Sequence, residues 1–225
     1  MRKSARKSKS RTKRKLEADP NKTLVKIANR LKDPLQELCC ESKYTENNLN
    51  LSIVSMPSSH LDETTIQWAF QLTKTNMKTL YETCEWGWDD DDKLSQLKHR
   101  TARFLIVKDE NNHPKAFVHF RFDMDFGDPV VYCYEIQIET DIQRKGVGKH
   151  LINLLCKIGA MTEMKKVVLT VLKHNKLAYN FYTRICGFKI DASSPDKTEE
   201  ACYEILSKEC EFGCSVTKRF PKNAI

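Results

Sequence analysis

No apolar run in this sequence approaches the roughly 18–20 residues that a membrane-spanning helix requires, so no membrane contact is expected of it. Its first ten residues, MRKSARKSKS, lack the apolar core of a secretory signal peptide, which leads us to expect an intracellular chain. Nine cysteines stand at positions 39, 40, 84, 133, 156, 186, 202, 210 and 214, yet no two form a C-x-x-C spacing. An odd set of thiols without a secretion signal reads as reduced and mostly core-filling. Cys210 and Cys214 make at most half of a zinc site with no histidine after them, so no metal is expected. No internal repeat is visible.

Acidic residues are missing from the first fifteen positions, where Arg2, Lys3, Arg6, Lys7, Lys9, Arg11, Lys13, Arg14 and Lys15 supply nine positive charges. Removing those nine from the 38 Lys and Arg leaves 29 against 30 Asp and Glu, so the formal charge of +8 belongs to a tail. The tail has too little apolar surface to fold alone and reads as disordered. Its chemistry suits a nuclear-import signal or a contact to chromatin, with a merely solubilising tail as the alternative. A location in nucleus and cytoplasm follows from the import reading. Three segments are expected: a basic tail at 1–20, a folded domain at 21–208 with an N-terminal helical extension, and a C-terminal tail at 209–225. With 225 residues, the chain can bury a full core without cross-links.

Leu24, Ile27, Ala28 and Leu31 predict a short amphipathic helix within 21–38, stopped at Asp33-Pro34. Leu49–Met56 alternates as a strand. Ile66, Ala69, Phe70, Thr73, Met77, Leu80 and Tyr81 mark a long helix that Asp62 or a nearby Ser would cap. Glu85–Trp88 and the acidic run Asp89–Asp92 read as a loop with a solvated face. Strand patterns follow at Arg103–Lys108, Lys115–Asp123 and Val130–Glu139. In the last, strict alternation puts Tyr132, Tyr134, Ile136 and Ile138 opposite Cys133, Glu135, Gln137 and Glu139. A turn over Met124–Pro129 links the second and third. Then come a helix through Leu151–Ile158, a strand at Val167–Val171, a helix through Ala178–Ile185 closed by Gly187, and strands at Phe188–Ile190 and Cys202–Leu206. The fold class is α+β, with a mixed, mostly antiparallel sheet flanked by helices.

Between the strand ending at Glu139 and the helix opening near Gly148 lies Gln143-Arg144-Lys145-Gly146-Val147-Gly148-Lys149. A glycine-rich turn entering a helix offers unpaired N–H groups at the positive end of the helix dipole, a receptor for phosphate. Arg144, Lys145 and Lys149 add counter-charge. A Walker loop is excluded because no glycine lies five residues before Gly148, and a dinucleotide fingerprint because Leu151 stands at its third glycine.

The remaining pattern, Q-x-x-G-x-G after Tyr-Glu-Ile-Gln-Ile-Glu, resembles the pyrophosphate loop of the GCN5-related N-acetyltransferase (GNAT) superfamily. Asn175, Ala178, Phe181, Tyr182 and Gly187-Phe188 resemble that superfamily's following helix. Within it, Leu72–Met77, Glu85–Trp88, His119–Asp123, Tyr132–Glu135 and Lys173–Asn175 look like the N-alpha-acetyltransferase D family. The resemblance implies the GNAT fold with splayed strands at the coenzyme site, acetyl-coenzyme A as donor, and no obligate auxiliary subunit. The implied substrates are the alpha-amines of Ser-Gly-Arg-Gly termini on histone 4 and histone 2A. The alternatives are a lysine or polyamine acetyltransferase, or a non-catalytic chromatin adaptor.

By that resemblance Tyr134, Glu135 and Ile136 meet the pantetheine arm, Gln143 to Gly148 hold the pyrophosphate, and Asn175 touches the coenzyme. Glu135 on the polar strand face is a candidate base, beside the bland reading of a solvated strand carboxylate; Tyr134 is the other proton handler. Tyr182 resembles the family's acid for the thiolate, but it lies on an apolar helical stripe and core packing is the better reading of it. Asp123, Met124 and Asp125 at the hairpin, with Tyr81, Thr170 and Tyr203, look like peptide contacts, the two aspartates suited to a guanidinium.

Overall fold

A computed structural model describes residues 19–196 and 198–210. The basic run of residues 2–15 and all but two residues of the expected C-terminal tail lie outside the described residues.

Continuous apolar content marks an interior strand of the sheet. β3 (Arg103–Lys108) sends Leu105 and Val107 into one core and Phe104 and Ile106 into another, so helices must cover both faces. Antiparallel pairing joins β1 (Lys43–Tyr44), β2 (Leu51–Pro57), β3, β4 (Pro114–Asp125) and β5 (Asp128–Ile138). β6 (Lys166–Leu172) then pairs with β5 in parallel, β8 (Tyr203–Glu209) runs antiparallel to β6, and β7 (Lys189–Ile190) edges β8. The eight strands lie in the order β1-β2-β3-β4-β5-β6-β8-β7. One face carries α1 (Pro20–Ala28), α2 (Pro34–Glu37) and α5 (Val147–Met161); the other carries α3 (Glu63–Glu82) and α4 (Asp90–Leu97). α6 (Lys176–Asn180) follows β6 and widens into a single π turn, Phe181–Ile185, where the Cys186 N–H donates to the Phe181 carbonyl five residues back at 3.0 Å.

Several expectations are corrected. The helix within 21–38 is two helices. α1 ends at Ala28, where the freed carbonyls of Asn29 and Leu31 accept from the Arg103 guanidinium. Pro34 opens α2 rather than stopping α1: its missing N–H is harmless in a first turn, and Asp33 Oδ1 accepts from Leu35 N–H at 3.0 Å and Gln36 N–H at 3.1 Å. The acidic run Asp89–Asp92 is a helix start, not a loop. Asp89 caps α4 by accepting from Asp92 N–H at 2.8 Å, and three aspartates fill the first turn, where the helix dipole favours them. Asp62 caps α3. The turn of the β4–β5 hairpin is tighter than Met124–Pro129: Asp125 pairs with Asp128, and Phe126 and Gly127 make the corner at φ +45° and +90°.

Candidate active site

β5 gives way to a tight turn at Thr140–Ile142 and then to the loop Gln143–Gly146. Arg144 at φ +58° and Gly146 at φ +83° turn the chain twice through the left-handed region. Gly146 is the N-cap residue of α5 and brings no side chain to cap it, so the first-turn N–H groups are left for a ligand. A Cβ on Gly146 would collide with the Tyr44 hydroxyl. That hydroxyl donates to the Lys145 carbonyl at 2.5 Å, and Asn47 Nδ2 donates to the same oxygen at 3.1 Å, which anchors the loop from β1. Gln143 Nε2 reaches back to the Ile138 carbonyl at 2.9 Å. Arg144, Lys145 and Lys149 are exposed around the turn.

Strand β5 runs beside β6 only from Val130 to Cys133, opposite Lys166 to Leu169. Beyond that point the two diverge: Thr170–Leu172 stay on β8, and Glu135 onward stay on β4. Among the described residues, the edge of β5 that faced β6 is thereby left without a strand partner. A cleft of about 1260 Å³ opens along it, walled by β5, the loop, α3, α4, and the chain from Asn175 to Ile185.

The strict alternation expected for β5 is broken. Phe120 pairs with Cys133 and His119 with Glu135, so Tyr134 is an extra, bulged residue. Val131 and Cys133 face the α5 side, and after the bulge Ile136 and Ile138 face it too. Tyr134 therefore does not share a face with Ile136. It joins Tyr132, at 4.8 Å between ring centroids, and stacks on His119 at 5.0 Å, with the Arg121 guanidinium 4.3 Å from its ring. The bulge aims Glu135 and Gln137 toward α3 and α4.

Glu135 is not a solvated strand carboxylate; it is 7% exposed. Its Oε1 accepts from Lys93 Nζ of α4 at 2.9 Å and its Oε2 from Gln137 Nε2 at 2.9 Å, while Asn76 Nδ2 of α3 donates to Gln137 Oε1 at 3.0 Å. Burial by itself would lower the Lys93 pKa, but Glu135 and then Tyr81 outweigh it and the ammonium is held above its usual range. Burial raises the Tyr81 phenol, and Glu135 raises it further. Tyr182 is pushed well above the usual tyrosine range, by burial first and then by Cys133 and Glu135.

A model of the acetyltransferase (GNAT) family matches residues 66–188, more than half of the chain. The chain belongs to the acetyltransferase (GNAT) family. Solved structures share its fold. A GNAT-family acetyltransferase from Listeria monocytogenes is 15% identical, covers 74% of this chain and 99% of itself, and superposes with a TM-score of 0.53. Tetrahymena GCN5 is 10% identical, with 72% and 97% covered and a TM-score of 0.54. NAA60 of Arabidopsis thaliana, solved with a bisubstrate analogue, is 13% identical, with 70% and 98% covered and a TM-score of 0.50.

GNAT enzymes use acetyl-coenzyme A, and the residues here fit it. The Gly146 cradle leaves no room for a side chain, cationic residues ring an uncapped helix start, and a strand edge lies unpaired beside them. Of the residues expected from the sequence, Tyr81, Tyr134, Glu135, Ile136, Gln143, Arg144, Gly146, Gly148, Thr170 and Asn175 line this one cleft. Lys145 is exposed on the loop, whereas the Val147 side chain is buried in the core. Asn175 caps α6, accepting from Ala178 N–H at 3.1 Å, and Thr170 Oγ1 lies 2.7 Å from the Tyr132 hydroxyl. Tyr203 stands behind the wall, 4.9 Å from the Trp86 ring.

Asp123, Met124 and Asp125 do not line the cleft itself. Asp123 is exposed on the β4 face shared with Arg121, Met124 alternates to the opposite face, and Asp125 faces Lys166 Nζ at 3.4 Å. Sequence reading missed Lys93, Gln137, Asn76, Trp88 and His119. Nothing singles out Lys93, because a lysine beside four aspartates is ordinarily solvated.

Proposed function

We propose that this chain is a protein N-terminal acetyltransferase of the N-alpha-acetyltransferase D type. It moves acetyl from acetyl-coenzyme A to the alpha-amine of Ser-Gly-Arg-Gly termini, as on histones 4 and 2A. The observation that carries the reading is a buried carboxylate, Glu135, that faces the cleft beside the free β5 edge with both oxygens already engaged. An alpha-amine with a pKa near ~7.8 needs roughly 3.5 kcal/mol less help at neutral pH than a lysine near ~10.4, so a modest base suits the former.

When bound, acetyl-coenzyme A supplies the acetyl group as a thioester. The N–H groups at Val147 and Gly148, with Arg144, Lys145 and Lys149, would hold its pyrophosphate, and the unpaired edge at Tyr134–Ile136 its pantetheine arm. A backbone N–H of that edge would donate to the carbonyl oxygen. Glu135 takes the proton that the amine gives up as it attacks the carbonyl, directly or through water. Tyr182, whose phenol burial keeps protonated, would be the acid for the leaving sulfur by the family resemblance, although its ring packs on Phe188 as a core residue does. Tyr81, Trp86 and Trp88 form an aromatic wall for the peptide, and Asp123 lies on the neighbouring strand face to meet an arginine.

Histone tails as partners, a nuclear and cytoplasmic location, and an import or chromatin role for the basic tail belong to the same proposal. The test is incubation with acetyl-coenzyme A and a Ser-Gly-Arg-Gly peptide, beside a copy with a blocked N-terminus, read by fragmentation mass spectrometry. Acetyl on the alpha-amine of the free peptide alone supports the reading. Acetyl on lysines of both peptides moves the chain to lysine transfer.

A further inference from the structure

Lys93 stands at the join between the carboxylate and the aromatic wall. Its ammonium is buried, 2.9 Å from Glu135 Oε1 and 3.2 Å from Gln96 Oε1. The Tyr81 ring centroid lies 4.9 Å away and that of Trp88 5.8 Å away. Glu135 thus reaches the cleft as half of an ion pair with no net charge. A bare carboxylate in a low-dielectric cleft would hold an arriving ammonium as a salt bridge, in which the nitrogen lone pair is occupied and cannot attack. Lys93 already occupies that position.

We infer that Lys93 is a positioning and specificity-determining residue: it aims Glu135 and cancels its charge, so that the site admits an amine in its neutral form. This rests on the N-terminal acetyltransferase reading above. At pH 7 roughly one alpha-amine in seven is neutral but fewer than one lysine in a thousand, so a site for neutral amines favours a chain terminus by on the order of 300-fold before any other contact.

The experiment is steady-state kinetics on the Ser-Gly-Arg-Gly peptide with four variants of the full chain: Lys93→Met, Lys93→Arg, Glu135→Gln, and Lys93→Met with Glu135→Gln. We expect Lys93→Met to lower kcat at least about tenfold without raising the peptide KM, because the bare carboxylate now retains the ammonium. Acetyl-coenzyme A affinity stays unchanged, and Lys93→Arg, which keeps the cation, keeps more activity than Lys93→Met. In the Glu135→Gln background the Lys93→Met change costs no more than about threefold, since Lys93 acts through Glu135. Lys93→Met and Glu135→Gln each strand a buried charge. If Lys93→Met fails to fold, the test rests on Lys93→Arg, which keeps the cation and whose kcat should stay within about threefold of the wild-type value. A larger loss in a chain that melts normally in urea overturns the role. A raised KM at unchanged kcat, or losses that multiply in the double variant, overturns the role of Lys93 alone. A wild-type chain that leaves the alpha-amine unmodified overturns it together with the proposed function.

Discussion

Two aspartates two residues apart on β4 illustrate how surroundings assign roles. Asp123 is exposed, and its Oδ1 accepts from the Met124 N–H at 2.8 Å. Asp125 is partly buried and faces Lys166, whose ammonium also sits 2.6 Å from Asp191. If the substrate carries the proposed arginine, exposure makes Asp123 the one that would meet its guanidinium. Asp123→Ala should lower kcat/KM for Ser-Gly-Arg-Gly at least about tenfold and leave Ser-Gly-Ala-Gly unaffected, as expected for loss of a charge-assisted pair. Asp125→Ala should change the two peptides alike; a loss confined to the arginine peptide would reverse this assignment. Gly146 is set by two constraints at once, a φ of +83° and the Tyr44 hydroxyl where a Cβ would go. Gly146→Ala is therefore expected to cost about 1–3 kcal/mol of stability in a urea melt. Calorimetry should show acetyl-coenzyme A binding at least about tenfold weaker, because the loop must shift. The glycine loop was readable from the sequence because its chemistry is local. The difference between Asp123 and Asp125 was not, since Lys166 reaches Asp125 from a strand forty residues away.

At the level of elements, the sequence is legible where periodicity and burial agree. β3, α3 and α5 appear within a few residues of where their apolar spacing predicts them, and Asp62 caps as its position suggests. It fails where one residue changes the phase. The bulge at Tyr134 is invisible in a string that alternates well, because the extra residue is a tyrosine with its own packing against His119 and Arg121 rather than a glycine. α4 is hidden for a different reason. Its first turn is three aspartates, which look like a solvated loop unless the dipole and the Asp89 cap are considered together. Losing that cap should matter beyond local stability, since α4 carries Lys93 and Gln96. Asp89→Ala is expected to destabilise the chain by about 1 kcal/mol in a urea melt. It should also lower peptide turnover; the same loss of about 1 kcal/mol with no change in turnover would show that α4 positions nothing.

The whole molecule is a sheet covered on both faces and parted along one seam, and its acid sensitivity follows from what that burial traps. His119 lies on β4 opposite Glu135, between the rings of Phe104 at 5.2 Å and Tyr134 at 5.0 Å. Among the described residues neither ring nitrogen finds a hydrogen-bond partner. Burial first, then the positive charges of Arg121, Lys93 and His99, push its pKa from 6.5 down to about 3. The unfolded chain binds this proton near pH 6.5 while the folded chain refuses it until about pH 3. Stability is therefore full above pH 6.5 and falls as the pH drops through that window, by on the order of 5 kcal/mol once both states are protonated. Asp191, whose carboxyl is held low by Lys166 and Ser207 despite burial, adds a separate loss only below about pH 4, where the unfolded carboxylate begins to protonate. The two windows separate His119 from the carboxylates. Between pH 7.5 and 4.5 the wild-type chain should lose about 2–3 kcal/mol through this histidine, read as a shift in urea midpoint at constant slope. His119→Phe keeps an aromatic ring between Phe104 and Tyr134 and removes the titrating group, so its midpoint should decline distinctly less over the same interval. Parallel declines in the two chains would mean that the folded protein admits a proton to His119, and that the seam beside Glu135 is wetter than its burial implies.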